Sequence, residues 1–328
     1  MKQPVEISVV IPVFQSGPML QVLFARLLKV LQGTGGTFEV IFVDDASGDA
    51  SWNVLKTLHL ENPDCVVAIQ LMRNFGQHNA IMAGLHRARG NSIVTLDDDL
   101  QHPPEEIPRL LKSLEQYDLD LVYGCYDRKR HAAWRNIGSR VTGWFFRRIF
   151  NVGVTPTAFR AMRHSVVQSI LTYDRNFTII DGLLAWSTQR IGEVPVEHHP
   201  RASGRSGYSI RKLLLQLMNV LTNFSLAPLQ VVSVVGMCSS LGGLALAAFY
   251  VYRWFTSAAI VPGYASLIVT LLVSSGLQLL ALGIMGEYLG RVLLNINQKP
   301  QFVERKVLPD LSSISRGSDC NVRPPEQA

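Results

Sequence analysis

Cysteine is sparse in this sequence of 328 residues, and its four copies form no metal-binding motif. The cysteines, at positions 65, 125, 238 and 320, lack CxxC or Cys/His spacing. This pattern argues against a zinc site and against a disulfide framework, and we expect a reducing compartment. A signal peptide is not apparent either, because the first apolar run, residues 7–14, is short and is interrupted by Pro12.

Charge is missing from two long stretches in the C-terminal half. No Asp, Glu, Lys or Arg occurs in residues 213–252 or 254–286. A helix needs about 20 apolar residues to cross a bilayer. We therefore predict two transmembrane helices, near residues 229–252 and 264–286, with a turn at Pro262 and Gly263. A buried helical hairpin is the alternative, but uncharged runs of this length are rare in soluble cores.

Lysine and arginine flank the outer ends of the two predicted helices, whereas the loop between them contains only Arg253. By the positive-inside rule, both termini should face the cytoplasm. The formal charge of +6 suits anionic partners but does not choose among them. We expect no nucleic-acid binding, because the basic residues cluster near the membrane segments without a recognition motif.

Two further segments have an amphipathic helical pattern. Residues 209–225 place apolar side chains on one face and polar side chains on the other. Residues 134–149 combine a similar apolar face with four arginines and two tryptophans. Both patterns suit a helix lying on an anionic membrane surface. Packing on the soluble domain is the alternative for the first segment, and an ordinary surface helix is the alternative for the second.

The first two hundred residues alternate apolar runs with stretches of helical periodicity. The predicted strands cover residues 7–14, 38–44, 65–71, 92–97 and 119–124. The predicted helices cover residues 19–31, 52–60, 80–88 and 105–114. Strands rich in Val and Ile that alternate with helices predict an α/β fold with a mostly parallel, Rossmann-like sheet. Such sheets bind ligands beyond the carboxyl ends of their strands.

Three consecutive acids, Asp97, Asp98 and Asp99, follow the fourth predicted strand, and Gln101 comes two residues later. In extended backbone, side chains alternate between faces, so Asp97 and Asp99 would point one way and Asp98 the other. With the Gln101 amide oxygen they form a predicted site for Mg²⁺ or Mn²⁺, since hard cations take oxygen ligands. A solvated acidic turn is the alternative.

Other polar groups follow the second and third predicted strands. Asp44 and Asp45 end the second strand, where carboxylates can accept hydrogen bonds from a base or a ribose. Capping of the next helix is the alternative role for either acid. Arg73 begins a loop after the third strand, and the glycine in that loop would let the backbone approach a ligand closely.

Arginines recur beyond the strands as well. Arg128 and Arg130 follow the fifth predicted strand, and Arg201 and Arg205 lie in a Gly-rich stretch before the membrane segments. Guanidinium groups bind phosphate oxygens well. Each arginine by itself suits a surface charge, but their recurrence at one sheet edge indicates phosphate binding.

These motifs together resemble the family 2 glycosyltransferases of the GT-A fold, in particular the polyprenyl-phosphate sugar transferases. The likeness spans roughly residues 7–303. It rests on residues 10–14 (VIPVF), 43–47 (VDDAS), 73–78 (RNFGQH), 97–104 (DDDLQHPP) and 286–291 (GEYLGR). Residues 77–84 and 103–108 look most like the aminoarabinose transferases of this branch.

The resemblance implies inverting transfer of a sugar from a nucleotide diphosphate, with UDP favoured over GDP, to a polyprenyl phosphate such as undecaprenyl phosphate. It implies catalytic roles for Asp97 and Asp99, which with Gln101 would hold Mg²⁺ or Mn²⁺. It also implies contacts to donor or acceptor phosphates by three further catalytic residues: Arg128, Arg130 and Arg205. Nucleotide binding would involve six residues at the strand ends: Pro12, Asp44, Asp45, Arg73, Asn74 and Gly76.

The implied organisation has four segments. Residues 1–208 form a cytoplasmic GT-A catalytic domain, and residues 209–226 form an interfacial amphipathic helix. Residues 227–290 form a transmembrane hairpin, and residues 291–328 form a cytoplasmic tail that we expect to be poorly ordered after Lys306. The expected location is the inner membrane, in cell-envelope glycan synthesis or lipid A modification. Relatives include tetramers, so a homo-oligomer is compatible with the resemblance.

The sequence departs from the family pattern at three positions. Ala158 stands where the family has the acid of an Asp-Phe-Arg motif, Asp98 stands where relatives commonly have Ala, and Gly207 stands where they often have Lys. Ala158 favours the alternative of a catalytically inactive, membrane-anchored nucleotide-sugar-binding protein, whereas the intact metal motif argues against it. A processive polysaccharide synthase is disfavoured, because the chain lacks both additional membrane helices and a Gln-x-x-Arg-Trp segment.

Overall fold

The computed structural model describes residues 4–125, 153–154, 156–173, 179–197, 227–256, 263–296 and 300–309. These residues belong to two compact units, one within Met1–Ser206 and Pro300–Ala328 and the other within Gly207–Lys299. The first unit is an α/β domain, and the second consists of two long helices. The amphipathic segments predicted at residues 134–149 and 209–226 lie outside the described residues.

The α/β domain is built on one mixed sheet. Its strands are β1 (Ile7–Val13), β2 (Phe38–Asp44), β3 (Val66–Leu71), β4 (Ser92–Thr95), β5 (Leu121–Cys125), β6 (Arg160–Arg163), β7 (Ile191–Pro195) and β8 (Glu304–Leu308). Their order across the sheet is β7-β5-β6-β4-β1-β2-β3-β8. Strands β1 to β4 pair in parallel, as do β5 and β7, whereas β6 and β8 run antiparallel to their neighbours. This topology confirms the predicted α/β class.

Helices cover both faces of the sheet. They are α1 (Gly17–Gly33), α2 (Ser51–Glu61), α3 (Gln77–Leu85), α4 (Ile107–Gln116), α5 (His164–Leu171) and α6 (Ile180–Ser187). Val9, Ile11 and Val13 of β1 pack into the core that α1, α2 and α4 cover, whereas Val10 packs into the core on the opposite face. Because both faces of β1 are buried, every position of the strand is apolar or small, as expected for the centre of a parallel sheet.

The fourth strand is shorter than predicted. Residues 92–97 were expected to be extended, but β4 ends at Thr95, where its pairing with β1 also ends. The following residues form a turn in which Leu100 has a positive φ of 59°. The expectation that an extended backbone places Asp97 and Asp99 on one face is therefore wrong, because the backbone has already left the sheet.

Residues 304–308, which the sequence analysis assigned to a tail, form strand β8 at the edge of the sheet. The strand pairs with β3, and Glu304 makes an ion pair with Arg87 at 2.7 Å. Just before the strand, the side chain of Gln301 donates a hydrogen bond to the carbonyl of Tyr173 at 2.8 Å. The chain therefore returns to the α/β domain after the second long helix.

The second unit contains α7 (Ala227–Thr256) and α8 (Tyr264–Ile296). Within the described residues, these helices include two segments long and apolar enough to cross a membrane, Leu229–Phe249 and Val269–Leu294. Both segments are unburied within the chain. The two predicted membrane-length helices are thus confirmed, and α8 continues ten residues beyond the predicted end at Gly286.

Candidate active site

The candidate site lies along the carboxyl edge of strands β1 to β4. Because these strands are parallel, the loops that follow them leave the sheet at one edge. The loop after β2 contains Asp45, the loop after β3 contains Arg73 to Gly76, and the turn after β4 contains Asp97 to Gln101. The topology therefore places three of the predicted polar motifs at one edge.

Asp45 holds two of these loops together. Its side chain is 4% exposed, and its two carboxylate oxygens accept hydrogen bonds from the backbone N–H groups of Phe75 and Gly76 at 2.7 and 2.8 Å. Burial raises the pKa of Asp45, the two hydrogen bonds lower it, and the charge of Asp44 adds to the rise. Gly76 has φ +88°, which L side chains rarely adopt, so the loop adopts this conformation at a glycine.

Asp44 is also directed into the protein. It is fully buried, accepts a hydrogen bond from the Ser47 N–H at 3.1 Å, and accepts another from the Gln70 amide at 3.2 Å. Helix α2 begins at Ser51, whose N–H donates to Asp49 at 3.0 Å. The capping role considered for Asp44 and Asp45 is therefore not observed, because Asp49 is the acid that accepts a hydrogen bond from the first residue of this helix.

The other predicted nucleotide-binding residues differ in exposure. Pro12 is buried within β1, two positions before the exposed Phe14. Arg73 and Asn74 are exposed, and the Arg73 guanidinium lies 4.5 Å from the centre of the Phe75 ring. This cation–π contact orients the arginine at the edge of the sheet while leaving its fork accessible to an anion. The roles of these residues in binding nucleotide stay predictions.

The acidic turn after β4 presents its three carboxylates to different neighbours. Asp97 accepts a hydrogen bond from the Gln77 amide at 2.6 Å, and Asp98 accepts one from the Phe14 N–H at 3.2 Å. Asp99 accepts one from the Gln101 N–H at 3.1 Å. Burial raises the pKa of Asp98, hydrogen bonds from Ser16 and Phe14 lower it, and the charge of Asp99 raises it further.

The predicted metal ligands have the right chemistry for a hard cation. Asp97, Asp99 and Gln101 are each half-buried, lie within five consecutive residues, and supply only oxygen donors. Among the described residues, no cluster of three or more His, Cys, Asp or Glu side chains could hold a metal. A cation at this turn would therefore have two protein carboxylates and would complete its shell with amide and substrate oxygens.

The structure adds a buried polar cluster that the sequence analysis did not predict. Arg160 of β6 is 1% exposed, forms an ion pair with Asp181 of α6, and donates a hydrogen bond to the Thr95 hydroxyl at 3.0 Å. The Tyr123 hydroxyl donates to the same Asp181 oxygen at 2.9 Å. The sequence feature that could have predicted this cluster is the single acid Asp181 in the apolar stretch at 179–186 (IIDGLLAW), because a lone charge in such a segment needs a partner.

Ala158 lies beside this cluster. Its carbonyl accepts a hydrogen bond from the Thr95 hydroxyl at 2.8 Å, and its methyl group supplies no charge. Three predicted phosphate-binding residues, Arg128, Arg130 and Arg205, lie outside the described residues. Their contribution to the site stays a prediction.

Comparisons with known proteins identify the family and the fold. Residues 8–171 match the family described as glycosyl transferase family 2. The chain is 37% identical to an undecaprenyl-phosphate 4-deoxy-4-formamido-L-arabinose transferase of Pseudomonas paraeruginosa, over 92% of this chain and 90% of the relative. It is 33% identical to the transferase of the same name from Serratia proteamaculans, over 92% and 94% of the two chains.

A solved structure shows the same fold. The glucosyl-3-phosphoglycerate synthase of Mycobacterium tuberculosis, in complex with Mn²⁺, UDP and glucosyl-3-phosphoglycerate, superposes with a TM-score of 0.50 at 16% sequence identity. The similarity covers 67% of this chain and 80% of that one. The family match, the relatives that align over nearly the whole chain, and the shared fold lead to one conclusion: the chain belongs to glycosyl transferase family 2.

Proposed function

We propose that this protein transfers a sugar, with inversion, from a nucleotide diphosphate sugar to undecaprenyl phosphate at the cytoplasmic face of the inner membrane. UDP is the favoured nucleotide. The product would serve cell-envelope glycan synthesis or lipid A modification. The observation that carries the proposal is the half-buried oxygen-donor turn, with Asp97, Asp99 and Gln101, at the carboxyl edge of a sheet. Two helices of membrane length in the same chain suit a lipid-linked acceptor.

The acidic turn would hold the divalent cation of the reaction, Mg²⁺ or Mn²⁺. Asp97, Asp99 and Gln101 fit such an ion because carboxylate and amide oxygens are the donors that hard cations prefer. When bound, the ion would neutralise the charge that develops on the departing diphosphate. Mn²⁺ is present in the M. tuberculosis structure of the same fold.

The transfer needs little proton chemistry from the protein. An oxygen of the acceptor phosphate would attack the anomeric carbon, and the bond from that carbon to the diphosphate oxygen would break, releasing the nucleoside diphosphate. The phosphate monoester is largely ionised at neutral pH, since its second pKa is about 6, so a general base is dispensable. Positioning and electrostatic stabilisation of the leaving group would then supply most of the rate.

The remaining site residues have roles consistent with this reaction. Arg128, Arg130 and Arg205 would contact donor or acceptor phosphates. Asp45 would hold the loop that contains Arg73, Asn74 and Gly76 against the nucleotide, as its hydrogen bonds to that loop suggest. Residues 1–208 would be cytoplasmic, residues 209–226 would lie on the membrane surface, residues 227–290 would cross it, and both termini would be cytoplasmic.

A catalytically inactive nucleotide-sugar-binding protein is the second candidate, and Ala158 is the observation that favours it. The methyl group of Ala158 cannot provide the carboxylate found in the family pattern. The donor set for a metal is nevertheless complete in Asp97, Asp99 and Gln101. Both candidates would bind the nucleotide sugar in a metal-dependent way, but only the active transferase would transfer the sugar.

The experiment is transfer of radiolabelled sugar to undecaprenyl phosphate by the purified full chain in detergent with Mg²⁺ or Mn²⁺. The donors would be a panel of UDP- and GDP-sugars, including UDP-linked 4-deoxy-4-formamido-L-arabinose. We expect lipid-linked product from one donor, and a loss of at least about 100-fold in Asp99→Ala, a typical cost of removing a group that stabilises transition-state charge. Asp64→Ala is the matched control, because it removes an exposed acid just before β3, at the opposite edge of the sheet.

Binding of a nucleotide sugar without transfer from any donor would favour the inactive protein. Equal loss of activity in Asp64→Ala and Asp99→Ala would contradict the assignment of the site to the carboxyl edge.

A further inference from the structure

A row of polar side chains crosses the sheet directly behind the acidic turn. Thr95 of β4 and Tyr123 of β5 are both register partners of Arg160 in β6. Register partners on neighbouring strands direct their side chains to the same face of a sheet. On that face, Asp181 in the first turn of α6 accepts hydrogen bonds from both Tyr123 and Arg160. We refer to Thr95, Tyr123, Arg160 and Asp181 as the buried cluster.

Arg160 has a permanent charge inside this cluster. A guanidinium does not lose its proton in a protein, so a fully buried one needs a compensating negative charge. Asp181 supplies that charge from a different element, and its side chain is 18% exposed. Ala158, two residues before Arg160, supplies none.

The guanidinium also contacts a residue next to the acidic turn. Its Nε atom donates to the hydroxyl of Thr95, which is two residues before Asp97 in the chain. Burial lowers the pKa of Arg160, but the charge of Asp181 raises it above its ordinary value, and the charge of Asp97 adds to that rise. Arg160 thus interacts electrostatically with two carboxylates, the half-buried Asp181 that it pairs with and Asp97 in the acidic turn.

The two carboxylates have different partners in the folded protein. Asp181 forms the ion pair with Arg160, whereas Asp97 accepts a hydrogen bond from the uncharged Gln77 amide. Without the charge of Asp181, Arg160 would be a buried cation with no compensating charge beside it. Of the two carboxylates, only Asp97 would then be left to interact with it. A carboxylate drawn towards a guanidinium binds a divalent cation less tightly, because the guanidinium competes for the same charge.

We propose that Asp181 is a positioning residue: by neutralising Arg160 behind the acidic turn, it strengthens the binding of a divalent cation by the Asp97 carboxylate. This inference rests on the proposed function, since it assumes that the turn binds Mg²⁺ or Mn²⁺. It assigns a role to a residue that would touch neither the metal nor the substrate. It also explains how Arg160 can be buried beside Ala158, where the family pattern has an acid.

The test is Mn²⁺ binding, followed by the electron paramagnetic resonance signal of free Mn²⁺, with the full chain in detergent and UDP present. Asp181→Asn keeps the shape and a hydrogen-bond acceptor but removes the charge. We expect its Kd for Mn²⁺ to rise on the order of tenfold, since one neighbouring charge typically shifts a carboxylate by about one pKa unit or more. Binding within threefold of wild type in a folded variant would overturn the proposal.

Two further variants separate charge from packing. Tyr123→Phe removes a hydrogen bond to Asp181 but leaves both charges, so the thermal unfolding temperature should fall while Mn²⁺ affinity stays within threefold of wild type. The double variant Arg160→Gln with Asp181→Asn removes both charges, and we expect its Mn²⁺ affinity to return to within threefold of wild type. Weakening beyond threefold in Tyr123→Phe or in the double variant would overturn the proposal, because the effect would then follow packing.

The double variant keeps the proposal open to contradiction if Asp181→Asn fails to fold, since it leaves no unpaired buried charge at this pair, and Mn²⁺ binding weakened beyond threefold would still overturn the proposal. Failure of the inference is distinguishable from failure of the proposed function. Sugar transfer by the wild-type protein tests the function, whereas the inference fails if wild type and Asp181→Asn bind Mn²⁺ equally, or if wild type with UDP binds none.

Discussion

The side chain of Asp98 accepts a hydrogen bond from the backbone N–H of Phe14 at 3.2 Å, across 84 positions of the chain. Phe14 follows the last residue of β1, and Asp98 lies in the turn after β4. The contact therefore ties the acidic turn to the neighbouring strand end. It gives Asp98 a structural role that differs from the proposed metal-binding role of the acids on either side.

Replacing Asp98 should affect stability more than catalysis. We expect Asp98→Ala to lower the free energy of unfolding by about 1 kcal/mol, the usual contribution of one hydrogen bond, while sugar transfer falls by less than about tenfold. Asp98→Asn keeps an acceptor for the Phe14 N–H and should be closer to wild type in both measurements. Chemical denaturation and the transfer assay check these values. Loss of transfer as complete as in Asp99→Ala would show that Asp98 also acts on the metal.

Asp45 should be sensitive to loss of a single oxygen acceptor. Asp45→Asn would leave one of the Phe75 and Gly76 N–H groups facing an amide NH₂, at a cost of about 1–3 kcal/mol for an unsatisfied buried group. We expect lower stability together with a higher Kd for UDP, because the loop from Arg73 to Gly76 loses its anchor. Calorimetric titration with UDP and thermal unfolding provide the two readouts, and Asp64→Asn is the control. Weaker UDP binding with unchanged stability would instead indicate direct contact of Asp45 with the nucleotide.

His78 should make the stability of the α/β domain depend on pH. Burial lowers the pKa of His78 below its ordinary value of 6.5. The negative charge of Asp181 raises this pKa, and the positive charge of Arg160 lowers it further. The unfolded state therefore binds the proton more readily, so this group reduces stability as the pH falls below 6.5. Its buried Nδ1 atom has no hydrogen-bond partner in the described structure, which fits a neutral ring.

We expect wild-type protein to lose more thermal stability than His78→Gln when the pH is lowered from 7.5 to 5.5. Glutamine keeps an amide near the position of the imidazole Nε2 atom but does not titrate. Differential scanning fluorimetry in detergent at both pH values gives the comparison. The same pH slope in the two proteins would mean that His78 does not contribute to it.

Strand β8 should stabilise the α/β domain although it follows the two long apolar helices in the chain. A protein ending at residue 299 would expose the edge of β3 and lose the Arg87–Glu304 ion pair and the Gln301–Tyr173 hydrogen bond. We expect a loss of at least about 2 kcal/mol, the sum of a few net hydrogen bonds, and a greater tendency to aggregate. A protein ending at residue 309 retains the strand and should match the full chain in unfolding temperature. Equal stability of the two truncated proteins would contradict the role of β8.

The sequence predicted β1 to β3 and β5 to within two residues, because strands buried on both faces appear as continuous apolar runs. It predicted β4 too long, because Leu96 extended the apolar run past the end of pairing. The apolar runs of the sequence predicted none of β6, β7 and β8. β6 has the sequence RAMR and no strand pattern of its own, so its place depends on pairing with β4 and β5.

The amino-acid pattern predicted that acidic and basic motifs follow the strands of a mostly parallel sheet, and that two helices are long and apolar enough for a membrane. Both conclusions depend on local pattern, which a single sequence displays. The contacts of each polar group became visible only in the folded chain: Asp45 anchors a loop, Asp98 accepts a hydrogen bond from the residue after β1, and Asp181 pairs with Arg160. These pairs join segments 21 to 84 positions apart. The sequence shows each charge, but the packing of separate elements determines its partner.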